Sequence, residues 1–172
     1  MSDWEDLLAL INAIKNRNTL DEIHELIISG IDVNKQDGDG VTALMLSALF
    51  GEENGATMMR FLVDAGADVN KHDVDGWTAL IYATQFGGEH AAGMIRLLVD
   101  AGADANDHDY NRRTALMFAA RCGGEHVTEM INLLIDAKAD VNKQNKEGWT
   151  ALLLATMYGR EHAVGIMRVL VN

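Results

Sequence analysis

At 172 residues and 48% hydrophobic content, the chain is long enough to bury a core and too apolar to remain disordered. A formal net charge of −12, with only 14 Lys and Arg scattered along the chain, is the reverse of the basic stripe that a nucleic-acid binder needs, and it disfavours acidic lipid surfaces. No run approaches about eighteen apolar residues, the N-terminus MSDWEDLLAL is acidic where a leader is basic, and Cys122, the single cysteine, can form neither an internal disulfide nor a zinc cage, so the expectation is a cytoplasmic protein with no cofactor, nucleic-acid or membrane partner.

Residues 1–32 contain SDWE and TLDE, each with Ser or Thr three residues before Glu, the reciprocal capping pattern of a helix start. Two helices are predicted, about Asp3 to Lys15 and Leu20 to Ser29, forming an N-terminal capping pair. From residue 33 the chain repeats itself with a period of 36. Thr-Ala-Leu opens at Thr42, Thr78, Thr114 and Thr150; Asn34, Asn70, Asn106 and Asn142 keep the same step, as do Glu53, Glu89, Glu125 and Glu161. The units are 33–68, 69–104, 105–140 and 141–172.

Each unit reads the same way. The Thr78 hydroxyl can cap a helix running through TALIYATQF, which Gly87 and Gly88 end. A second helix carries Met94, Ile95, Leu97, Leu98 and Val99 around a polar Arg96, and Gly102 closes it in a left-handed turn. The stretch VNKHDVDGW then suits a short hairpin, with Asp73 and its equivalents Asp37, Asp109 and Asn145 closing turns through their own side chains. Lys138 and Arg112 stand where other copies have glycine and should occupy left-handed positions at a cost of roughly 1 kcal/mol. The last unit stops at Asn172 with Ile166, Met167, Val169 and Leu170 following an internal core pattern. That end is a cut array, a docking surface for association, or a less stable terminus.

The recurring Glu-His of GGEH invites a metal reading. In stacked helical units, however, equivalent residues lie roughly 8–10 Å apart, whereas two imidazoles on one zinc, at about 2.0 Å each, lie within roughly 3.5 Å. His90, His126 and His162 therefore form a ladder, and no metal site is expected. DGDG and HDVDG lack the calcium-loop pattern, and no Ser/His/Asp or Cys/His grouping breaks the repeat, so the chain is not read as an enzyme.

The repeated G-x-T-A-L-x-x-A and L-V-D-A-G-A-D-V-N resemble the ankyrin repeat over about residues 33–172. The resemblance implies an all-α ankyrin-repeat solenoid of helix-turn-helix units joined by β-hairpin-like turns. Two departures stand out. Ala43, Ala79, Ala115 and Ala151 replace the family's usual Pro, and Met45, Ile81, Met117 and Leu153 replace its usual His. The period also exceeds the family norm of about 33 residues, which places the extra residues between the two helices, in GGEHAAGM and its copies.

The resemblance further implies a non-catalytic module that binds another protein on its concave face. The positions that vary and point outward there are the hairpin tip, the residue before Thr and the last residues of the first helix. In the first unit these are Asp39, Val41, Leu49 and Phe50; in the second, Val74, Asp75, Trp77, Gln85 and Phe86. The third unit contributes Tyr110, Asn111, Arg113, Arg121 and Cys122, with Arg112 as a further graft, and the fourth contributes Lys146, Glu147, Trp149, Met157 and Tyr158. Six of the chain's ten aromatics fall among them, and aromatics with arginine are what interfaces use as anchors. The alternative is an acidic inhibitor or immunity-type protein that blocks a basic, nucleic-acid-processing enzyme.

Overall fold

A computed structural model describes residues 3–15, 19–50, 54–122 and 126–171. Among them are ten α-helices: α1 Asp3–Lys15, α2 Leu20–Ile28, α3 Ala43–Phe50, α4 Gly55–Asp64, α5 Ala79–Phe86, α6 Ala91–Asp100, α7 Ala115–Arg121, α8 Val127–Asp136, α9 Ala151–Tyr158 and α10 Ala163–Val171. The odd-numbered helices pack in succession as one layer and the even-numbered helices as a second, each pair α3–α4, α5–α6, α7–α8 and α9–α10 forming one repeat. The array is an all-α solenoid whose N-terminal pair α1–α2 joins the two layers at one end.

The composition of each layer follows from its neighbours. The first helices α3, α5 and α7 each lie between two others and are apolar on nearly every side, with Ala83 and Ala119 fully buried so that successive backbones approach closely. Second helices bury one stripe, Met94, Ile95 and Leu98 in α6, and leave Arg96 outside. Starts are fixed by the threonines: the hydroxyls of Thr42, Thr78, Thr114 and Thr150 accept the N–H three residues on, at 3.3, 3.3, 3.4 and 3.3 Å. At α2 the reciprocal cap is complete, Glu22 N–H donating to Thr19 Oγ1 and Thr19 N–H to Glu22 Oε2. Ser2, read as the equivalent cap of α1, lies outside the described residues.

Second helices end in left-handed turns at Gly66 and Gly102, φ 89° and 91°, and at Lys138, φ 68°. The repeated asparagines clamp those turns. Asn34, Asn70 and Asn106 each donate Nδ2 to the carbonyl of Gly66, Gly102 or Lys138 at the far end of the same repeat, at 2.8, 3.1 and 2.7 Å. Their Oδ1 accepts the N–H of Asp68, Asp104 or Asp140, at 2.6, 2.9 and 2.8 Å. The 36-residue register of Asn is thus a register of hydrogen bonds that tie the start of each repeat to its end.

The lengthened connection between helices forms one turn of 3₁₀ helix at Gly88–His90 and again at Arg160–His162. Gly87 is required for close approach, since a Cβ there would sit 2.5 Å from the Ala83 carbonyl oxygen and 2.7 Å from Ala91 Cα. His90 lies 3.6 Å from Glu89, and His162 lies 3.3 Å from Glu161. Among the described residues, no three His, Cys, Asp or Glu side chains come together in a way that could hold a metal ion.

Candidate protein-binding face

The hairpin tips are built by one device used four times. Asp37 Oδ1 accepts the N–H groups of Asp39 and Val41 at 3.0 and 2.9 Å, and Asp73 Oδ1 accepts those of Asp75 and Trp77 at 2.9 and 2.8 Å. Asp109 does the same for Asn111 and Arg113, and Asn145 for Glu147 and Trp149. Each tip is also tied to the next: Val74 N–H donates to the Asp39 carbonyl at 2.9 Å, Tyr110 N–H to Asp75 at 3.1 Å, and Lys146 N–H to Asn111 at 3.0 Å. The variable residues of the hairpins therefore stand on a continuous, internally bonded rim.

The second oxygen of the turn-closing side chain decides what sits beside it. In the second repeat, Tyr82 Oη donates to Asp73 Oδ2 at 2.8 Å. Burial first, and then this bond to a carboxylate, push the Tyr82 phenol well above its usual range. In the third repeat, Arg113 supplies the donor through Nε at 2.7 Å and Nη2 at 2.6 Å, and Asp109 is 1% exposed. In the fourth, Leu154 occupies the Tyr82 position and has no donor to offer; the turn residue is the neutral Asn145. The two buried carboxylates, Asp73 and Asp109, each thus have a donor on the second oxygen, as burying such a group requires.

Trp77 is half-buried and belongs to an aromatic group. It stacks on Phe86 with ring centroids 5.8 Å apart, meets Tyr82 edge-on at 5.4 Å and tilts over Phe118 at 4.8 Å. The Arg113 guanidinium lies 4.9 Å from the Phe118 ring, and that of Arg121 lies 5.4 Å from the Tyr158 ring. Tyr82 and Phe118 were missed as site residues by the sequence reading. The signal was present: both stand four residues after the threonine, where the first and fourth copies have Leu46 and Leu154.

Of the remaining positions, Val41, Leu49, Phe50 and Trp149 are half-buried, whereas Asp39, Asp75, Gln85 and Glu147 are exposed. Tyr110 is 63% exposed, Met157 61%, Tyr158 46% and Phe86 45%. Three depressions divide the set. Leu49 and Phe86 line one of about 350 Å³ beside Glu89 and His90 at the lengthened connection. Arg113, Arg121, Trp149 and Tyr158 line another of about 320 Å³, and Arg112, φ 59°, faces a third of about 340 Å³ with His108 and Lys143. The adjacent arginines 112 and 113 thus serve different grooves. Cys122 is half-buried with Sγ 3.9 Å from the Thr84 carbonyl, and burial raises its thiol pKa against the opposing pull of Arg121.

The sequence profile for ankyrin repeats (three copies) matches residues 10–109 and 89–172. The chain belongs to the ankyrin-repeat family. No curated protein is significantly similar to it. Ankyrin repeats are generally protein–protein interaction modules and the family is typically non-catalytic. In this ankyrin-repeat chain, no helix among the described residues is long and apolar enough to cross a membrane.

Proposed function

We propose that the chain binds a partner protein on its concave face, the surface formed by the hairpin tips and the odd-numbered helices. The observation that carries the reading is the chemistry at its variable positions: Tyr110 on the hairpin rim locked by the Asx turns, and Phe86 and Tyr158 at the ends of α5 and α9, are about half exposed or more. Large exposed aromatics cost solvation on a free surface and are the residues that anchor interfaces when a partner covers them. Anchors held before binding lose little entropy on association, so rigid display is the mechanism.

The test is quantitative capture from native-host lysate by the chain and by a Phe86→Glu, Tyr110→Glu, Tyr158→Glu variant of equal helicity, with Arg60→Glu, Arg96→Glu on the second-helix layer as control. The expected result is a protein retained by the chain and the control and lost with the first variant. Equal retention by all three contradicts it.

The inhibitor reading is supported by the net charge of −12. It requires an association rate that falls steeply with salt and loss of the target's activity on binding. Salt-insensitive binding without inhibition favours a scaffold.

A further inference from the structure

We infer that the groove between the third and fourth repeats takes an acidic, extended segment of the partner, with carboxylates flanking an apolar or aromatic side chain. This rests on the concave-face reading and runs against the sign of the whole chain.

The groove holds about 320 Å³ between the hairpin tips and the ends of α7 and α9. Its cations differ in what they already do. Arg113 is committed to the buried Asp109 and adds little net charge. Arg121 and Lys146 are both exposed and make no ion pair with any described residue; the Arg121 guanidinium rests on Tyr158, which holds it at the wall. An Arg stacked on an aromatic ring keeps its fork of N–H donors free for a carboxylate. Trp149 and Tyr158 then offer apolar walls for a side chain between two acids. Glu147 is the sole exposed carboxylate among the residues lining the groove.

The first two hairpin tips carry the opposite charge, with Asp39 and Asp75 exposed. The rim is therefore acidic at one end and cationic at the other, which fixes the direction in which a charged segment lies. Local attraction in the groove acts within a Debye length of about 8 Å at physiological salt, a distance over which the rest of the −12 field is partly screened.

The experiment titrates the full ¹⁵N-labelled chain with three synthetic peptides of one length built around a central Phe: one flanked by alternating Glu and Asp, one by Gln and Asn, one by Lys. The expected result is saturable amide shifts at Arg121, Lys146, Trp149 and Tyr158 for the acidic peptide alone. Arg121→Gln, Lys146→Gln should weaken that affinity about tenfold, while Glu147→Gln tightens it about two- to threefold. No saturable shift at the groove, equal binding of the Gln/Asn peptide, or indifference to the double variant overturns the inference. If the Lys peptide shifts residues around Asp39 and Asp75 while the acidic peptide shifts nothing, the inference fails and the concave-face reading stands. Shifts confined to α4, α6 and α8 defeat both.

Discussion

The second and third repeats have the same backbone plan and solve one problem in opposite ways. Each buries a carboxylate beneath its hairpin, Asp73 at 7% and Asp109 at 1% exposure. The second repeat satisfies the outer oxygen with the neutral Tyr82, leaving the position before the threonine to Trp77. The third satisfies it with Arg113 from that very position and places the non-donating Phe118 where Tyr82 stood. The two sites are coupled within each repeat and across the pair, since Phe118 packs on both Trp77 and Arg113. A position that looks free to vary for binding is therefore also part of how the hairpin is held.

The largest expected effect comes from breaking the third repeat's solution. Arg113→Ala leaves Asp109 buried without its cation; breaking such pairs costs about 3–5 kcal/mol, and Arg113's partial exposure brings the expectation to about 2–3 kcal/mol, read by urea denaturation. The corresponding break in the second repeat is milder. Tyr82→Phe removes one hydrogen bond to Asp73 and should cost about 1–2 kcal/mol. If the two variants lose equal stability, the ion pair is no stronger a tie than the phenol.

A third comparison concerns backbone strain. The third repeat carries Arg112 and Lys138 at φ 59° and 68°, where the second has Gly76 and Gly102. Lys138→Gly should stabilise by about 1 kcal/mol and raise the melting temperature. Melting that falls or stays the same shows that the strain is relieved by contacts of the lysine side chain.

The smallest effect is on pH. Tyr82 and Cys122 both have pKa values raised by burial, so both fold as the protonated form. A raised folded pKa gives stability that is complete below the unfolded value and lost as pH climbs from there toward the folded one. Unfolding free energy should thus start to fall above about pH 8.5 through the thiol and more steeply above about pH 10 through the phenol. Cys122→Ala should flatten the first part and Tyr82→Phe the second, each without altering the other.

Much of this architecture was legible because a period of 36 repeats its own punctuation. Thr-Ala-Leu marked the helix starts, Thr19 and Glu22 the capping box, and the glycines the left-handed turns, including the two places where Lys138 and Arg112 replace them. The turn-closing role of Asp37, Asp73, Asp109 and Asn145 was readable for the same reason, being local chemistry within a few residues. What stayed hidden is what depends on packing between helix and hairpin. Nothing local tells that Arg113 spends its guanidinium on Asp109, that Tyr82 and Phe118 support the residues before the threonine, or that arginines 112 and 113 part into separate grooves.

A partner that covers the hairpin-tip face comes within reach of a crosslinker placed there. A photo-reactive amino acid would be placed at Tyr110 on the rim or, separately, at Arg96 on the second-helix layer, and irradiated in native-host lysate. One crosslinked partner is expected from position 110 and none from position 96. A crosslink from 96 with none from 110 would put the interface on the opposite face and overturn the proposed binding surface.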